Sequence, residues 1–243
     1  MRQQNETRLI EATGVDLRVT DDDWTFAQRH ETEIAAHWAR RSAENPQYFD
    51  GTVLLLSDYS VSDDGVFLGR LLRTDFKSFL YWREHGWPDA GVRDTFCTAL
   101  IRSREGQVLL CQQRPGHLND GLSTPPGGFI DARDVEPDGT VDLARAAARE
   151  IAEETGLDAR HLRQATGYAI VLTGHHISLA VPWHSDLAGD ALEREAARHI
   201  AGEPEGELLR VLALAPGEAL RTLVLPEYAR ALLGAPHLMK TSA

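Results

Sequence analysis

The sequence predicts an α+β protein in which a small N-terminal α+β unit, residues 1–91, precedes a larger domain, residues 92–243. Strand patterns joined by short polar turns form two hairpins, at residues 51–73 and 94–114. Helical patterns lie around these hairpins, and the Gly- and Pro-containing residues 86–91 are typical of a linker.

The elements of the N-terminal unit follow from local patterns. Weak alternation predicts an early strand, and three aspartates followed by mixed polar and apolar residues predict an N-capped helix that Asn45-Pro46 stops. The predicted order is a strand within 9–19, a helix of about 24–43, strands 51–61 and 66–73, and a helix at 75–85.

The larger domain shows stronger signals. Its predicted strands are 94–103, 107–114, 163–173, 175–184 and 205–215. Its predicted helices are an acidic helix that ends at Gly156, a helix at 189–201, and one or two helices within 216–233. Cys97 and Cys111 fall on the first two strands, and we expect buried thiols there because two cysteines are too few for a disulfide framework.

Composition limits the class of function. With 243 residues, 42% of them hydrophobic, and no long apolar run, the chain is expected to be soluble and to bury a substantial core. The net charge of −12 argues against binding of nucleic-acid polymers or anionic membranes, which select for basic patches. A nucleotide remains compatible if a metal and a few arginines supply local cations. The N-terminus lacks a signal-peptide pattern, so a cytoplasmic location is expected.

An acidic helix end is the main functional signal. Glu150, Glu153 and Glu154 are spaced i, i+3 and i+4, so their carboxylates share one helix face, and Gly156 is placed to end the helix in a left-handed conformation. Like charges at this spacing destabilise a helix, whereas a hard divalent cation would stabilise them. The pattern therefore indicates a Mg²⁺ or Mn²⁺ site, and the alternative is a solvated acidic face.

Residues 127–157 resemble the Nudix box, Gly-x5-Glu-x7-Arg-Glu-U-x-Glu-Glu-x-Gly-U, where U is aliphatic. Residues 149–157 match every fixed position, and the preceding LLCQQRP and PPGGFID also resemble the family's approach to its box. The resemblance covers roughly residues 92–230. It implies a Nudix-type α/β/α sandwich and hydrolysis of a nucleoside diphosphate linked to another moiety.

The first half of the box departs from the family pattern. Gly128 and Arg149 are twenty-one positions apart instead of fourteen, so seven residues are inserted. The first glutamate is missing, and either Asp134 or Asp142 could take its place. Because loop-closure entropy grows slowly with length, the insertion is expected to reshape the rim of the site and leave the acidic helix intact.

The N-terminal unit carries a second, shorter resemblance. Its NPQYFDGTVLLL and DFKSFLYW are similar to the leading segment of Nudix proteins related to UDP-sugar pyrophosphatases. This resemblance favours a nucleotide sugar such as UDP-glucose as substrate, and it implies an N-terminal unit that serves substrate binding or homodimerisation.

The resemblance also implies roles for individual residues. Arg149 would orient a box carboxylate, and the carbonyl of Gly127 is a further candidate metal ligand. The remaining candidates are Glu150, Glu153 and Glu154 for metal binding and catalysis, Arg114, Asp131 and Gly128 for substrate binding, and Glu203, Glu205 and Glu207 for the general base.

Other readings stay open. The altered box is compatible with a non-catalytic nucleotide-binding or regulatory Nudix module, and ADP-ribose, NADH or modified nucleotides are alternative substrates. His175 and His176 on a strand would point to opposite faces, so at most one could enter the site. The aromatic residues Tyr48, Phe49, Trp82 and Trp87 could stack a base or form a core.

Overall fold

One mixed β-sheet runs through both parts of the chain in the computed structural model, which describes residues 7–117, 119–158, 160–203 and 206–235. The N-terminal elements are β1 (Arg8–Ala12), β2 (Gly14–Val19), α1 (Thr25–Arg29), α2 (Glu31–Glu44), β3 (Thr52–Val61), β4 (Val66–Asp75) and α3 (Phe76–Glu84). The later elements are β5 (Arg93–Arg102), β6 (Val108–Gln113), β7 (Ser123–Thr124), β8 (Gly127–Phe129), a 3₁₀ turn (Ala132–Asp134), α4 (Leu143–Thr155), β9 (Arg163–Gln164), β10 (Tyr168–Thr173), β11 (His176–His184), α5 (Gly189–Gly202), β12 (Leu208–Leu214), α6 (Pro216–Thr222) and α7 (Glu227–Leu233).

The N-terminal strands extend the sheet of the larger domain. The central strand order is β1-β10-β11-β5-β3-β4-β2. In this order β11 is parallel to β5, β1 is antiparallel to β10, and β3 joins β5 through the pairs Leu55–Asp94 and Leu56–Arg93. The site described below therefore has walls from both parts of the chain.

Helices cover both faces of the sheet, which confirms the predicted α+β class and the α/β/α layering. On one face α4 buries Ala146, Ala147 and Ile151 in a cluster with alternate residues of β5, namely Cys97, Ala99 and Ile101. On the other face α6 and α7 pack with Leu100 of β5 in a second cluster. A third, aromatic cluster includes Trp24, Phe79, Trp82 and Val92, with Phe129 against it.

β5 and β6 diverge, and this divergence positions the site. They pair only at Arg102–Val108. Beyond that point β5 pairs with β8, placing Gly127 opposite Thr98, whereas β6 pairs with β7 and β12. A gap consequently opens in the sheet next to β8. The sequence patterns did not predict this short strand.

Two predicted elements are wrong in detail. The helix expected at 24–43 is divided at His30 into α1 and α2, and no aspartate side chain caps it. Trp24 takes the N-cap position of α1 instead; it is buried, and its indole Nε1 donates to Asp89 at 2.8 Å, which fixes the start of the helix. The strand expected at 163–173 is interrupted by Gly167, whose φ of +78° suits a turn, giving β9 and β10.

The cysteine prediction is confirmed, since Cys97 and Cys111 are buried free thiols. Within the described ranges, no helix has the length and apolar character needed to cross a membrane.

Candidate active site

A cleft of about 1590 Å³ opens where β5 and β6 diverge. Its walls come from the acidic face of α4, the strands β5 and β8, the start of α7 and residues 45–53 of the N-terminal unit. Ligand pockets for drug-sized molecules measure roughly 300–1,000 Å³. The cleft is therefore large enough for a nucleotide together with a second moiety.

Helix α4 presents its acids to this cleft as predicted. It begins after Asp142, whose carboxylate accepts from the Arg145 N–H at 2.9 Å, and it ends at Gly156 with φ +68°. A Cβ at Gly156 would lie 2.8 Å from the Cβ of His199, so both backbone conformation and space require glycine there. The inserted residues leave the helix intact, which confirms that prediction.

Glu154 lies deepest among the three glutamates. One of its carboxylate oxygens accepts from the backbone N–H of Gly127 at 3.0 Å. Burial, followed by the charge of Glu150, raises the pKa of Glu154 well above its ordinary value, and the Gly127 hydrogen bond only partly offsets this. Glu207 across the cleft adds to the same effect.

Glu150 is also crowded by negative charge. Its side chain is 13% exposed and accepts from Arg149 Nη1 at 2.7 Å. Burial raises the pKa of Glu150 to about 7 against the opposing charge and hydrogen bond of Arg149, and Glu153 and Asp134 raise it further. Glu153, by contrast, is 48% exposed at the cleft rim.

Arg149 joins these acids to the inserted segment. Its guanidinium donates to Asp134 at 2.8 and 3.3 Å, to Glu153 at 3.1 Å and to the Phe129 carbonyl at 3.2 Å. Burial opposes the charged form, but the hydrogen bond that Arg149 donates to Asp134 and the charges of the neighbouring carboxylates outweigh burial and raise the pKa of Arg149. The guanidinium therefore stays protonated and orients the acids.

Asp134 and Asp142 have different roles. Asp134 lies in the 3₁₀ turn, is 1% exposed, and accepts from the Asp131 N–H at 3.0 Å as well as from Arg149. Asp142 instead caps α4. Of the two candidates for the missing box glutamate, only Asp134 contacts the box arginine.

The inserted segment docks onto the N-terminal unit. The Val141 N–H donates to the Leu17 carbonyl at 3.0 Å, and the Val19 N–H donates to the Gly139 carbonyl at 2.9 Å. These contacts with β2 set the path of the insertion, which brings Asp131, Ala132 and Arg133 to the cleft wall. The segment that departs from the family pattern thus contributes to the cleft wall.

The two glycines of β8 let the backbone of β5 and the side chain of Glu150 come close to β8. A Cβ at Gly127 would overlap the carbonyl oxygen of Cys97, and a Cβ at Gly128 would lie 2.7 Å from a carboxylate oxygen of Glu150. Any side chain at these positions would displace β8 from β5 or displace Glu150.

The donor set suits a hard divalent cation in its chemistry. Glu150, Glu153 and Glu154 offer carboxylate oxygens, the ligands that Mg²⁺ and Mn²⁺ prefer. Among the described residues, no three acidic, histidine or cysteine side chains converge on one point as they stand, because these glutamates bind Arg149 and the Gly127 N–H. Burial raises the pKa of Glu150 and of Glu154, neighbouring carboxylates raise it further, and a bound cation would favour the charged forms.

The other predicted residues are only partly brought together. Asp131 and Glu207 line the cleft, as does Glu203, whereas Glu205 lies outside the described residues. Arg114 does not line this cleft; its Nε donates to the Gly206 carbonyl at 3.0 Å and holds the segment before β12.

The expectation that only one histidine could enter the site is wrong. His175 and His176 both line the cleft, because β11 begins at His176 and His175 lies in the preceding turn, where strand alternation does not apply. Asp94 and Tyr228 also line the cleft, and sequence reasoning missed them. The available signal for Asp94 was a single acidic residue at the start of a strand that goes on into the apolar run Ala99-Leu100-Ile101.

The aromatic candidates separate into two groups. Tyr48 and Phe49 line the cleft, and Phe49 is 82% exposed. Trp82 is fully buried in the aromatic cluster, and Trp87 packs against that cluster.

Comparison with known proteins gives one family match. Residues 92–218 match the family model of the NUDIX domain. Similar solved structures include a MutT protein from Methanosarcina mazei Go1 (21% identity, 58% of this chain and 89% of that chain, TM-score 0.35) and DR0079 from Deinococcus radiodurans (12%, 74% and 96%, TM-score 0.42). A Nudix hydrolase from M. smegmatis, RenU, is 17% identical over 58% of this chain and 81% of its own, with a TM-score of 0.38. No curated protein matches the chain. At identities this low, the structural likenesses say nothing about substrate.

Proposed function

The chain belongs to the Nudix family of hydrolases, and we propose that it is a Mg²⁺- or Mn²⁺-dependent pyrophosphohydrolase. The proposed substrate is a nucleoside diphosphate linked to another moiety, specifically a nucleotide sugar such as UDP-glucose. The observation that carries the proposal is the crowding of Glu150, Glu153 and Glu154 at one wall of a large cleft, where the pKa of Glu150 is raised to about 7. We further propose that the enzyme is soluble and cytoplasmic.

The residues divide the work as follows. Glu150, Glu153 and Glu154, with the carbonyl of Gly127, would hold the metal, which supplies polarisation of a phosphoryl oxygen and a bound water of lowered pKa. Arg149 orients Glu150 and Glu153 through hydrogen bonds, and Asp134 holds Arg149 in turn.

Proton removal from the attacking water is assigned to Glu207, with Glu205 as the other candidate. Two observations support Glu207 in this role: it lines the cleft, and its charge contributes to the raised pKa of Glu154. Asp131 and Gly128 at the cleft wall are proposed to contact substrate. Arg114 would act on substrate indirectly, by holding the Glu207 segment through its bond to Gly206.

The N-terminal unit is proposed to select the substrate. It adds Tyr48 and Phe49 to the cleft wall and also binds the inserted segment through β2. A wall of this kind suits a substrate with a sizeable group beyond the diphosphate, as in a nucleotide sugar. Homodimerisation through the same unit is a further proposal, which light scattering of the purified protein would test.

Hydrolysis of a substrate panel tests the function. We expect release of two phosphorylated products from at least one of UDP-sugars, ADP-ribose, NADH, nucleoside triphosphates and modified nucleotides in the presence of Mg²⁺. Glu153→Gln should slow turnover on the order of 10²-fold, the scale of losing one preorganised electrostatic partner. Glu195→Gln, on the surface of α5 and away from the cleft, is the matched control.

A non-catalytic nucleotide-binding or regulatory module is the second candidate. The hydrogen bonds that Arg149 donates to Glu150 and Glu153 favour it, because they occupy carboxylate oxygens that a bound metal would need. Calorimetry with the same panel separates the two: binding without turnover in the presence of Mg²⁺, unchanged in Glu153→Gln, would support this module and contradict the hydrolase.

A further inference from the structure

The end of the cleft away from α4 contains a second group of polar and aromatic residues. Asp94 and Phe96 come from the start of β5, His176 from the start of β11, and Tyr228 from α7. We call this group the distal subsite. None of its members belongs to the acidic helix or to the predicted metal ligands.

Asp94 is a buried carboxylate of which only one oxygen is hydrogen-bonded to a described residue. The residue is 6% exposed, and its Oδ2 lies 3.0 Å from Nδ1 of His176. Its Oδ1 has no hydrogen-bond partner in the part of the chain that the structure describes. Because a buried, unpaired polar atom costs free energy, such an atom in a cleft wall points to a missing partner.

His176 is oriented by this carboxylate. With Asp94 ionised, the proton of a neutral imidazole lies on Nδ1 and is donated to Asp94, so Nε2 becomes a hydrogen-bond acceptor. The His176 side chain is 37% exposed, and no described residue bonds to its Nε2. The pair therefore presents two acceptors, Asp94 Oδ1 and His176 Nε2.

Aromatic rings surround these acceptors. Phe96 and Tyr228 meet edge to face with centroids 4.9 Å apart, and the Trp87 ring lies 5.0 Å from that of His176. Trp87 has φ +60°, which is an unfavourable conformation for a bulky residue. Two contacts with Trp82 maintain it: the rings pack edge to face, and the Trp87 N–H donates to the Trp82 carbonyl at 2.9 Å. The distal subsite is thus a built feature with flat apolar walls.

The spacing suits one ligand that reaches both ends of the cleft. Gly127 lies opposite Thr98 on β5. Asp94 comes four residues before Thr98 on the same strand, so the two residues are about 13 Å apart at the usual rise per residue. Tyr228 lines the same cleft as Glu154 and Asp94, and its ring packs against Phe96 of the distal subsite. A ligand with its phosphate at the glutamates would place an attached ring near Asp94.

We propose that the distal subsite binds the ring of the substrate that carries hydrogen-bond donors, with Asp94 Oδ1 and His176 Nε2 as the two acceptors. The shared chemistry is a ring that carries N–H or O–H donors: the amino or ring N–H groups of a nucleobase, or the neighbouring hydroxyls of a sugar. This inference rests on the proposed function for the identity of the ligand.

Calorimetry in the presence of Mg²⁺ tests the subsite without turnover, because reaction products contain no diphosphate bond to hydrolyse. The probes are the possible products: UMP, GMP, AMP and CMP on one side, glucose 1-phosphate and ribose 5-phosphate on the other. We expect one class to bind the wild-type protein and to bind Asp94→Asn and His176→Gln roughly 10- to 100-fold more weakly, the effect of losing a hydrogen bond to a charged or charge-paired group. Asp16→Asn, on β2 and outside the cleft, should bind as wild type does.

The outcome also identifies the ring. Weakened binding of nucleoside monophosphates assigns the subsite to the base, and weakened binding of sugar phosphates assigns it to the sugar. With an active substrate, KM should rise more than kcat falls in both variants. Equal product binding by the wild type and both variants, or no product binding by the wild type, overturns the subsite even if the protein hydrolyses the panel. Product binding that depends on Asp94 without hydrolysis would contradict only the proposed function.

Discussion

Replacing Asp134 with alanine should separate its role from that of Asp142. The substitution removes a carboxylate that is 1% exposed and accepts three hydrogen bonds, two from Arg149 and one from the Asp131 N–H. Breaking a buried ion pair from one side costs about 3–5 kcal/mol. Because Arg149 keeps Glu150 and Glu153 as partners, we expect the lower end, about 3 kcal/mol.

Asp142→Ala is the matched control. Asp142 makes one capping hydrogen bond, to the Arg145 N–H, and loss of such a cap costs about 1 kcal/mol. Urea unfolding measures both variants. With a slope of about 3 kcal/mol/M, Asp134→Ala should lower the midpoint by about 1 M and Asp142→Ala by about a third of that.

Activity should follow the same order. Without Asp134, Arg149 keeps its ion pairs with Glu150 and Glu153 but loses the hydrogen bonds that fix its own position, so both glutamates are held less rigidly. Mg²⁺ affinity or turnover should therefore fall about 10- to 100-fold, as for other supporting residues of metal sites. Equal losses of stability in the two alanine variants, or unchanged Mg²⁺ dependence in Asp134→Ala, would refute the assignment of Asp134 as the partner of the box arginine.

Two further predictions concern charge and space in the site. Since burial raises the pKa of Glu150 from 4.5 to about 7, the folded metal-free protein keeps a proton that the unfolded chain has lost. The free energy of unfolding in EDTA should therefore fall by up to about 3 kcal/mol as pH rises from about 4.5 to about 7. Unfolding in urea at several pH values should show a smaller fall in Glu150→Gln and after Mg²⁺ addition; an identical slope in the variant would contradict the prediction. Gly127→Ala should destabilise the protein by about 3 kcal/mol or more, because its Cβ overlaps the Cys97 carbonyl, whereas Gly202→Ala, with open space around it, should be nearly neutral in thermal melts. Similar melting temperatures for the two glycine variants would show that β8 can move.

Much of the acidic helix could be predicted from local sequence. The three glutamates share a face because helical periodicity acts over four residues, and Gly156 ends the helix because a left-handed residue is needed at that point. The hairpin β3–β4 was equally local, since its turn and alternating pattern lie within one stretch of chain. The strands on either side of Gly167 were harder to predict, because a turn at this glycine divides the predicted single strand into β9 and β10, which pair with different parts of β11.

The sequence by itself determined the reacting helix, its acidic face and the resemblance to the Nudix box, since all of these are local patterns. Only the tertiary structure decided that Asp134 meets Arg149 and that Asp142 does not, because contacts with β2, more than a hundred residues upstream, set the path of the insertion. It also decided that Asp94 and His176 meet, through the parallel pairing of β5 with β11. Both pairs depend on how distant strands align, and no spacing within the sequence encodes that alignment.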